Sequence, residues 1–353
     1  MANNSKFAII GAVVAAIIVV GVVAFATIPN NTVSQEPSTT DMVSQETPVL
    51  TIYSGRAETL VGPIIEQFEQ ETGIETQVRY GGTAELALAI LEEGQNSPAD
   101  IYFAQDAGAL GALSKEDRLL KISPSVLSMV DSDFNSLDGE WIGITGRARV
   151  VDYNTNLVSP SELPDSIWGF LDPKWKGKIG WSPQNGSFQS FVTGLRVLEG
   201  EDRARQWLEG IMANEPVVYS GNTPIVEALG RGEIHVGFVN NYYLQRFTSP
   251  DPSYPVAHHY TKADAGSMIN VAGVGIVDTT SDKALAERFI QYMLSDNAQT
   301  YFATSTFEYP LAKNAQVAGS QIPIGQIEHP KVDLNKLDDL EGTLALLKDI
   351  RAL

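Results

Sequence analysis

From Val49 onward, short apolar runs alternate with amphipathic segments, and this rhythm limits the fold more than any other feature. Val49–Tyr53, Ile74–Tyr80 and Asp100–Ala104 read as strands, rich in β-branched and aromatic residues and bounded by glycine or polar turns. Between them Thr59–Glu71 and Thr83–Glu93 carry apolar residues at helical spacing, and Gly73 ends the first of these. A short helix is expected around Leu110. The alternation continues through strands at Gly146–Tyr153, Ile179–Ser182, Val217–Tyr219 and 234–239. Helices are expected over 188–199, 201–212, 224–230 and after Tyr243. Ser281–Leu294 predicts an amphipathic helix, and Leu334–Leu353 a charged one. Such alternation implies an α/β protein with a largely parallel sheet.

The chain of 353 residues is long enough for two domains, and 43% apolar residues can supply their cores. It has no cysteine, which excludes thiolate metal sites, disulfides and a lipid-modified N-terminal cysteine. A formal charge of −19 argues against nucleic acid as a partner. At the N-terminus Lys6 precedes an uncharged apolar run from Phe7 to Ile28. That run can span a bilayer, which needs about 20 residues. Residues 1–28 are therefore expected to be a transmembrane anchor, with the rest of the chain extracytoplasmic. Ala24-Phe25-Ala26 resembles a signal-peptidase site, and cleavage there would leave the protein secreted or periplasmic. Residues 29–48 are rich in Asn, Ser, Thr, Gln and Glu and are expected to form a disordered tether.

Several strand exits carry the same chemistry. Tyr53 leads into Ser54-Gly55-Arg56, Ala104 into Gln105-Asp106, and Ser182 into Pro183-Gln184-Asn185-Gly186-Ser187. Tyr219 leads into Ser220-Gly221-Asn222, and Val239 into Asn240-Asn241-Tyr242-Tyr243. In open α/β sheets, ligands bind beyond the carboxyl ends of the strands. The helix N-termini that follow suit anions. Any one of these polar residues reads equally well as a helix cap. Their number, next to two adjacent tyrosines, points to a ligand cleft. Neighbouring side chains diverge on a strand or a helix, so Tyr242 and Tyr243 can converge only at an irregular junction. Two convergent phenols are poor catalysts and good ligands for a hard trivalent cation.

At this level of detail the chain resembles the periplasmic-type ferric-iron-binding proteins of ABC importers. The resemblance rests on Ile52-Tyr53-Ser54-Gly55-Arg56, Ser97-Pro98-Ala99-Asp100-Ile101-Tyr102-Phe103 and Gly146-Arg147-Ala148-Arg149-Val150-Val151. Pro173–Gly180, Val239–Tyr243 and Phe307–Leu311 extend it, so that it spans about residues 49–312. It implies a type II periplasmic-binding-protein fold, with two lobes, crossing hinge strands and a cleft between them. The first lobe is expected over 49–145, the second over 146–265, and a return to the first over 266–311. The C-terminal helices, 312–353, are expected on the second lobe. The resemblance makes Tyr242 and Tyr243 phenolate ligands of Fe(III), the transported ligand. It also implies a bound phosphate or carbonate, with contacts at Asp106, Asn185, Gly186, Ser187, Asn222 and Asn240. Ser54, Gln105 and Arg56 line the same expected cleft, Arg56 favouring an anion. The implied partners are a membrane permease and its ATPase, and the protein is expected to act as a monomer.

The chain departs from the family pattern at three positions. Ala57 stands where many members have histidine, Gln105 where many have glutamate, and Phe188 where one branch has a further tyrosine. These departures favour an alternative, a binding protein for an anionic nutrient such as a phosphonate, phosphate or other oxyanion. An enzyme is not expected, since there is no Gly-x-Ser-x-Gly elbow and no P-loop. Of the four histidines, His258 and His259 are adjacent, and they read as loop residues rather than a metal site. A surface adhesin would account for the tether but not for the polar strand exits.

Overall fold

A computed structural model describes residues 49–317 and 321–353. The anchor expected over 1–28 and the tether expected over 29–48 lie outside the described residues. Among the described residues, no helix is long and apolar enough to cross a membrane.

Among the described residues, eleven strands join in one mixed sheet. They are β1 (Val49–Ser54), β2 (Glu75–Tyr80), β3 (Ile101–Ala104), β4 (Leu119–Leu120), β5 (Trp141–Asn154) and β6 (Ile179–Trp181). The remainder are β7 (Val217–Val218), β8 (Val236–Asn240), β9 (Val256–His259), β10 (Ile269–Val277) and β11 (Tyr309–Pro310). The main order is β2-β1-β3-β10-β5-β8-β6-β7. At one end β2, β1 and β3 are parallel, as are β8, β6 and β7 at the other. The middle is not parallel, contrary to expectation, because β5 and β10 run antiparallel to each other and to their outer neighbours. The physical reason is connectivity: β5 carries the chain out of the first half of the sheet, and β10 brings it back.

At about 3.3 Å per residue, the 14-residue strand β5 is long enough to serve both halves. Every one of its residues is buried. Trp141 to Ala148 pair with β10, and Arg149 to Tyr153 pair with β8. The partner therefore changes between Ala148 and Arg149. Two apolar clusters flank this crossing. The first gathers Ile52, Ile64, Phe68, Phe103 and Phe289, with Phe68 and Phe289 edge to face at 5.3 Å. The second is an aromatic box of Phe170, Trp181, Phe188, Phe191, Trp207 and Phe238, with neighbouring rings 5.3–5.6 Å apart.

Helices form where the sequence spacing requires them. Glu58–Thr72 buries Val61, Ile64, Ile65 and Phe68 on one face and stops at Gly73, whose φ of 69° suits glycine. Two features differ from expectation. His258 and His259 belong to strand β9, held by backbone pairing to β5, not to a loop. Their side chains diverge, His258 to Asp152 and His259 to the Pro164 carbonyl. The C-terminal helix is split into a short 3-10 turn, Leu334–Asp338, and a helix, Leu340–Asp349.

These two pieces touch different clusters. Leu334 and Leu337 join the first, while Leu346 and Leu347 join the second. The turn lies on the helix Ala107–Lys115, and Trp141 Nε1 donates to Asn335 Oδ1 at 2.7 Å. Glycine permits this approach, since a Cβ on Gly108 would lie 2.4 Å from the Leu337 carbonyl oxygen. Ala is favoured over Gly in a helix by about 1 kcal/mol, so propensity alone predicts that Gly108→Ala stabilises the protein. Overpacking against that carbonyl costs about 1–3 kcal/mol and should reverse the sign. Urea denaturation should give a lower midpoint for Gly108→Ala, and a higher one would show that the turn does not seat on this helix.

Candidate functional site

The tyrosine pair is placed by a side-chain clamp at the end of β8. Val236–Asn240 is wholly buried, and the next residue, Asn241, ends the ladder. Its backbone N–H donates to the Ala148 carbonyl at 3.0 Å, and its Oδ1 accepts from the Ala148 N–H at 2.9 Å. One side chain thus completes the pairing that a further strand residue would have made, and the chain is free to turn into the helix Tyr242–Thr248. Tyr242 and Tyr243 occupy its first two positions. Successive helical residues diverge by about 100°, yet the long phenols converge. Their rings stack at 4.4 Å and 30°, and the hydroxyls lie 3.3 Å apart. Burial pushes the Tyr243 phenol well above its ordinary range, and the adjacent Tyr242 pushes it further.

Two arginines stand behind this pair. Arg147 and Arg149 are alternate residues of β5 and so share one face. Both are buried, at 4% and 5% exposure. Arg149 Nη1 donates to Asn240 Oδ1 at 2.9 Å, but its Nη2 has no partner, nor has Arg147 Nη1. Burial pulls Arg149 down to about 10, against the opposing pull of Tyr242 and Tyr243. Asp152 acts on Arg149 without pairing with it, and a guanidinium buried without an ion-pair partner is costly. Phenolates or a bound anion would relieve that cost. Sequence reasoning missed these residues as site members. The available signal was a pair of positive charges at period two in a largely apolar strand.

The polar strand exits of the second half meet here. Asn185 caps the helix Gly186–Glu199, its Oδ1 accepting from Ser187 N at 3.0 Å and from Ser187 Oγ at 2.5 Å. Asn222 Nδ2 donates to Asn185 Oδ1 at 3.2 Å, and Asn222 Oδ1 accepts from the Asn240 N–H at 3.2 Å. Asn185, Ser187, Asn222, Asn240 and Arg149 therefore form one hydrogen-bonded chain. Gly186 leaves open space at the helix N-terminus, where a Cβ would meet no atom within 4 Å.

These groups border a cavity of about 520 Å3. Gln105, Asp106, Arg147, Asn185, Gly186, Ser187 and the two tyrosines all line it. Asp106 also caps the helix Ala107–Lys115 through Ala109 N. Asn222 and Asn240 lie behind this lining, buried in the amide network.

The first strand exit does not reach the cavity, which corrects the expectation for Ser54 and Arg56. Ser54 Oγ donates to the Arg56 carbonyl. Arg56 is 1% exposed and ion-paired to Glu308 Oε2 at 2.5 Å, so its charge is already matched. Its other arm donates to Gln105 Oε1 at 2.8 Å, which leaves the Gln105 amide nitrogen for the cavity. Ala57 is exposed at the start of its helix. Phe188 faces the aromatic core, 5.5 Å from Trp181, and does not line the cavity.

The Arg56–Glu308 pair makes a testable demand. Glu308→Gln leaves a buried cation uncompensated and should cost about 3–5 kcal/mol in urea denaturation. Arg56→Met combined with Glu308→Leu should cost less than Glu308→Gln alone, and a larger loss in the double variant would show that the pair is not isolated from other charges.

Comparison with known proteins agrees with this architecture. The model of a family described as bacterial extracellular solute-binding protein matches residues 63–322. Iron uptake protein A1 of Synechocystis sp. is 32% identical over 298 residues, which cover 82% of this chain and 82% of that protein. Iron-bound HitA from Pseudomonas aeruginosa superposes with a TM-score of 0.78 at 30% identity, covering 86% of this chain and 99% of HitA. Trichodesmium IdiA (FutA), in complex with iron and citrate, gives a TM-score of 0.76 at 28% identity, with 86% and 99% covered. The chain belongs to the bacterial extracellular solute-binding protein family and has the two-lobed type II periplasmic-binding fold.

Proposed function

We propose that this protein captures Fe(III) at Tyr242 and Tyr243, together with an anion, and delivers it to the permease and ATPase of an ABC importer. The observation that carries the reading is the convergence of two phenol hydroxyls to 3.3 Å beside buried, unpaired arginines. The iron-binding relatives support it. A free tyrosine is neutral at pH 7, with a pKa of about 10, and burial raises that of Tyr243. Capture therefore requires the ion to displace the phenol protons, as metals do with other ligands. Two phenolates leave one positive charge on the ion. With Arg147 and Arg149 close by, the site favours a further anion at Asn185, Gly186 and Ser187, on the helix N-terminus. Phosphate or carbonate fits that role. The family is one of solute binders.

In this reading 49–145 and 266–311 build the first lobe and 146–265 the second. Residues 1–28 remain as a membrane anchor, 29–48 tether the body above the surface, and the protein acts as a monomer. Fractionation of cells expressing the full chain should place it with the membranes, and removal of 1–28 should release the body. A full-length chain recovered in the soluble fraction would rule out the anchor.

Fe(III) with phosphate should give a visible phenolate-to-iron band. Tyr242→Phe and Tyr243→Phe should each weaken iron binding and diminish the band. Because two protons leave for each ion bound, affinity should fall about 100-fold for each pH unit of acidification below the phenol range. Oxyanion binding with no band, unchanged in Tyr242→Phe, would instead favour the anionic-nutrient reading.

A further inference from the structure

The cavity is larger than an ion and a small oxyanion require. Its volume of about 520 Å3 lies within the range of sites for small organic ligands, roughly 300–1,000 Å3. One stretch of its lining is apolar. The helix Thr83–Glu93 presents Ala84, Leu88 and Leu91 to it, and Ala109 and Ala112 come from the next helix. Leu340, on the C-terminal segment, borders the same stretch.

The fold explains only part of this apolar wall, since Leu91 and Ala109 also pack against the first core and Leu88 does not. Thr83–Glu93 already buries Leu86, Ala87 and Ile90 in the first core. A surface helix needs one apolar stripe for that purpose. Ala84, Leu88 and Leu91 follow the i, i+4, i+7 pattern of a second stripe, and Leu88 is 54% exposed. Closure of the cleft does not account for it either. The cavity lining contributed by the helix Gly186–Glu199 includes Gln189, Ser190 and Thr193, which are polar. Pressing the stripe onto these amides and hydroxyls would leave Leu337 and Leu340 as its apolar contacts across the cavity.

The polar stretch has the opposite problem, too few donors. Two phenols converge there, Ala57 has no donor side chain, the Gln105 carbonyl oxygen is held by Arg56, and Asp106, the one further carboxylate beside them, caps its own helix through Oδ1. A hard cation at this point needs oxygen ligands from outside the protein. We infer that the cleft takes ferric iron as its complex with an organic oxygen-donor chelator that carries an apolar body. The chelated ion sits at Tyr242 and Tyr243, and the body lies on Ala84, Leu88 and Leu91. This inference rests on the ferric reading of the tyrosine pair.

Two ferric hydroxamates isolate the apolar contact, because ferric acetohydroxamate and ferric benzohydroxamate share one donor set and differ in a methyl against a phenyl group. The full chain should bind the benzohydroxamate complex about tenfold more tightly or better, from the extra apolar area buried. Leu88→Ser, an exposed position that should not disturb folding, should abolish this preference and leave acetohydroxamate binding unchanged. Equal affinities in the unaltered protein would overturn the inference, as would an undiminished preference in Leu88→Ser. Equally tight binding of benzohydroxamate without metal would also overturn it. If instead Tyr242→Phe leaves both ferric affinities unchanged, the ferric reading itself fails.

Discussion

One residue of the crossing strand, Ala148, ties the site to both halves of the sheet. It pairs with Ile269 on β10 on the first side, and both its N–H and its carbonyl are taken by Asn241 on the second. The tyrosines follow directly from that clamp, and Arg147 and Arg149 flank it on the same strand. The position of the phenols is therefore coupled to the point where β5 changes partners. In a two-lobed binding protein this is where the halves bend relative to each other. The ligand site and the hinge are one piece of backbone, so a change in hinge angle must alter how the first-lobe wall meets the tyrosines.

The buried arginines divide into two kinds, and the difference assigns their roles. Arg56 has a carboxylate partner in Glu308 and an amide partner in Gln105, and although its Nε is unpartnered it behaves as a structural ion pair. Arg147 and Arg149 have none that carries charge, and each retains an unpartnered nitrogen. A chain with a net charge of −19 nonetheless concentrates positive charge at one internal point. Uncompensated burial of that kind is tolerated where something else brings the opposite charge. Beyond the pull of buried Asp152 on Arg149, ionised phenols and an incoming anion are the sources that the site provides.

Much of the fold could be read from the sequence because its signals were local. The helix Thr83–Glu93 and the strands β1 and β2 show clean apolar periodicity, and Gly73 announces the end of its helix. Of the four strands that went unrecognised, β4, β9, β10 and β11, two show tertiary causes. In Ile269–Val277, Gly273 and Gly275 weaken the strand pattern, yet a Cβ on Gly273 would come within 2.9 Å of the Ile142 carbonyl oxygen. Close packing demanded the residues that local propensity disfavours. In Val256–His259, polar histidines mask an element that exists because β5 offers it an edge. For the site, the tyrosine pair and the amide exits were visible as residue types at strand ends. Arg56 was misplaced because a charge at a strand exit looks the same whether it faces a cleft or a carboxylate 252 residues away. No local pattern could reveal Glu308 as its partner.

The departures at Ala57 and Gln105 acquire a physical sense when charge and space are considered together. A carboxylate in place of Gln105 would find Arg56 already within 2.8 Å and would compete with Glu308 for it. A neutral amide avoids that competition, but it gives up an anionic donor to the ion. Even counting Asp106 with the two phenolates as the protein's anionic contribution, Arg147 and Arg149 keep the site of a trivalent ion positive. The missing negative charge then has to arrive with the cargo. A bare ion would enter such a site poorly, whereas an ion already wrapped in anionic oxygen would neutralise it. The same cleft offers such a complex room and an apolar wall. Fewer protein ligands, an excess of buried cations and a roomy cavity are thus three aspects of one design, in which the exogenous ligand completes both the coordination and the charge.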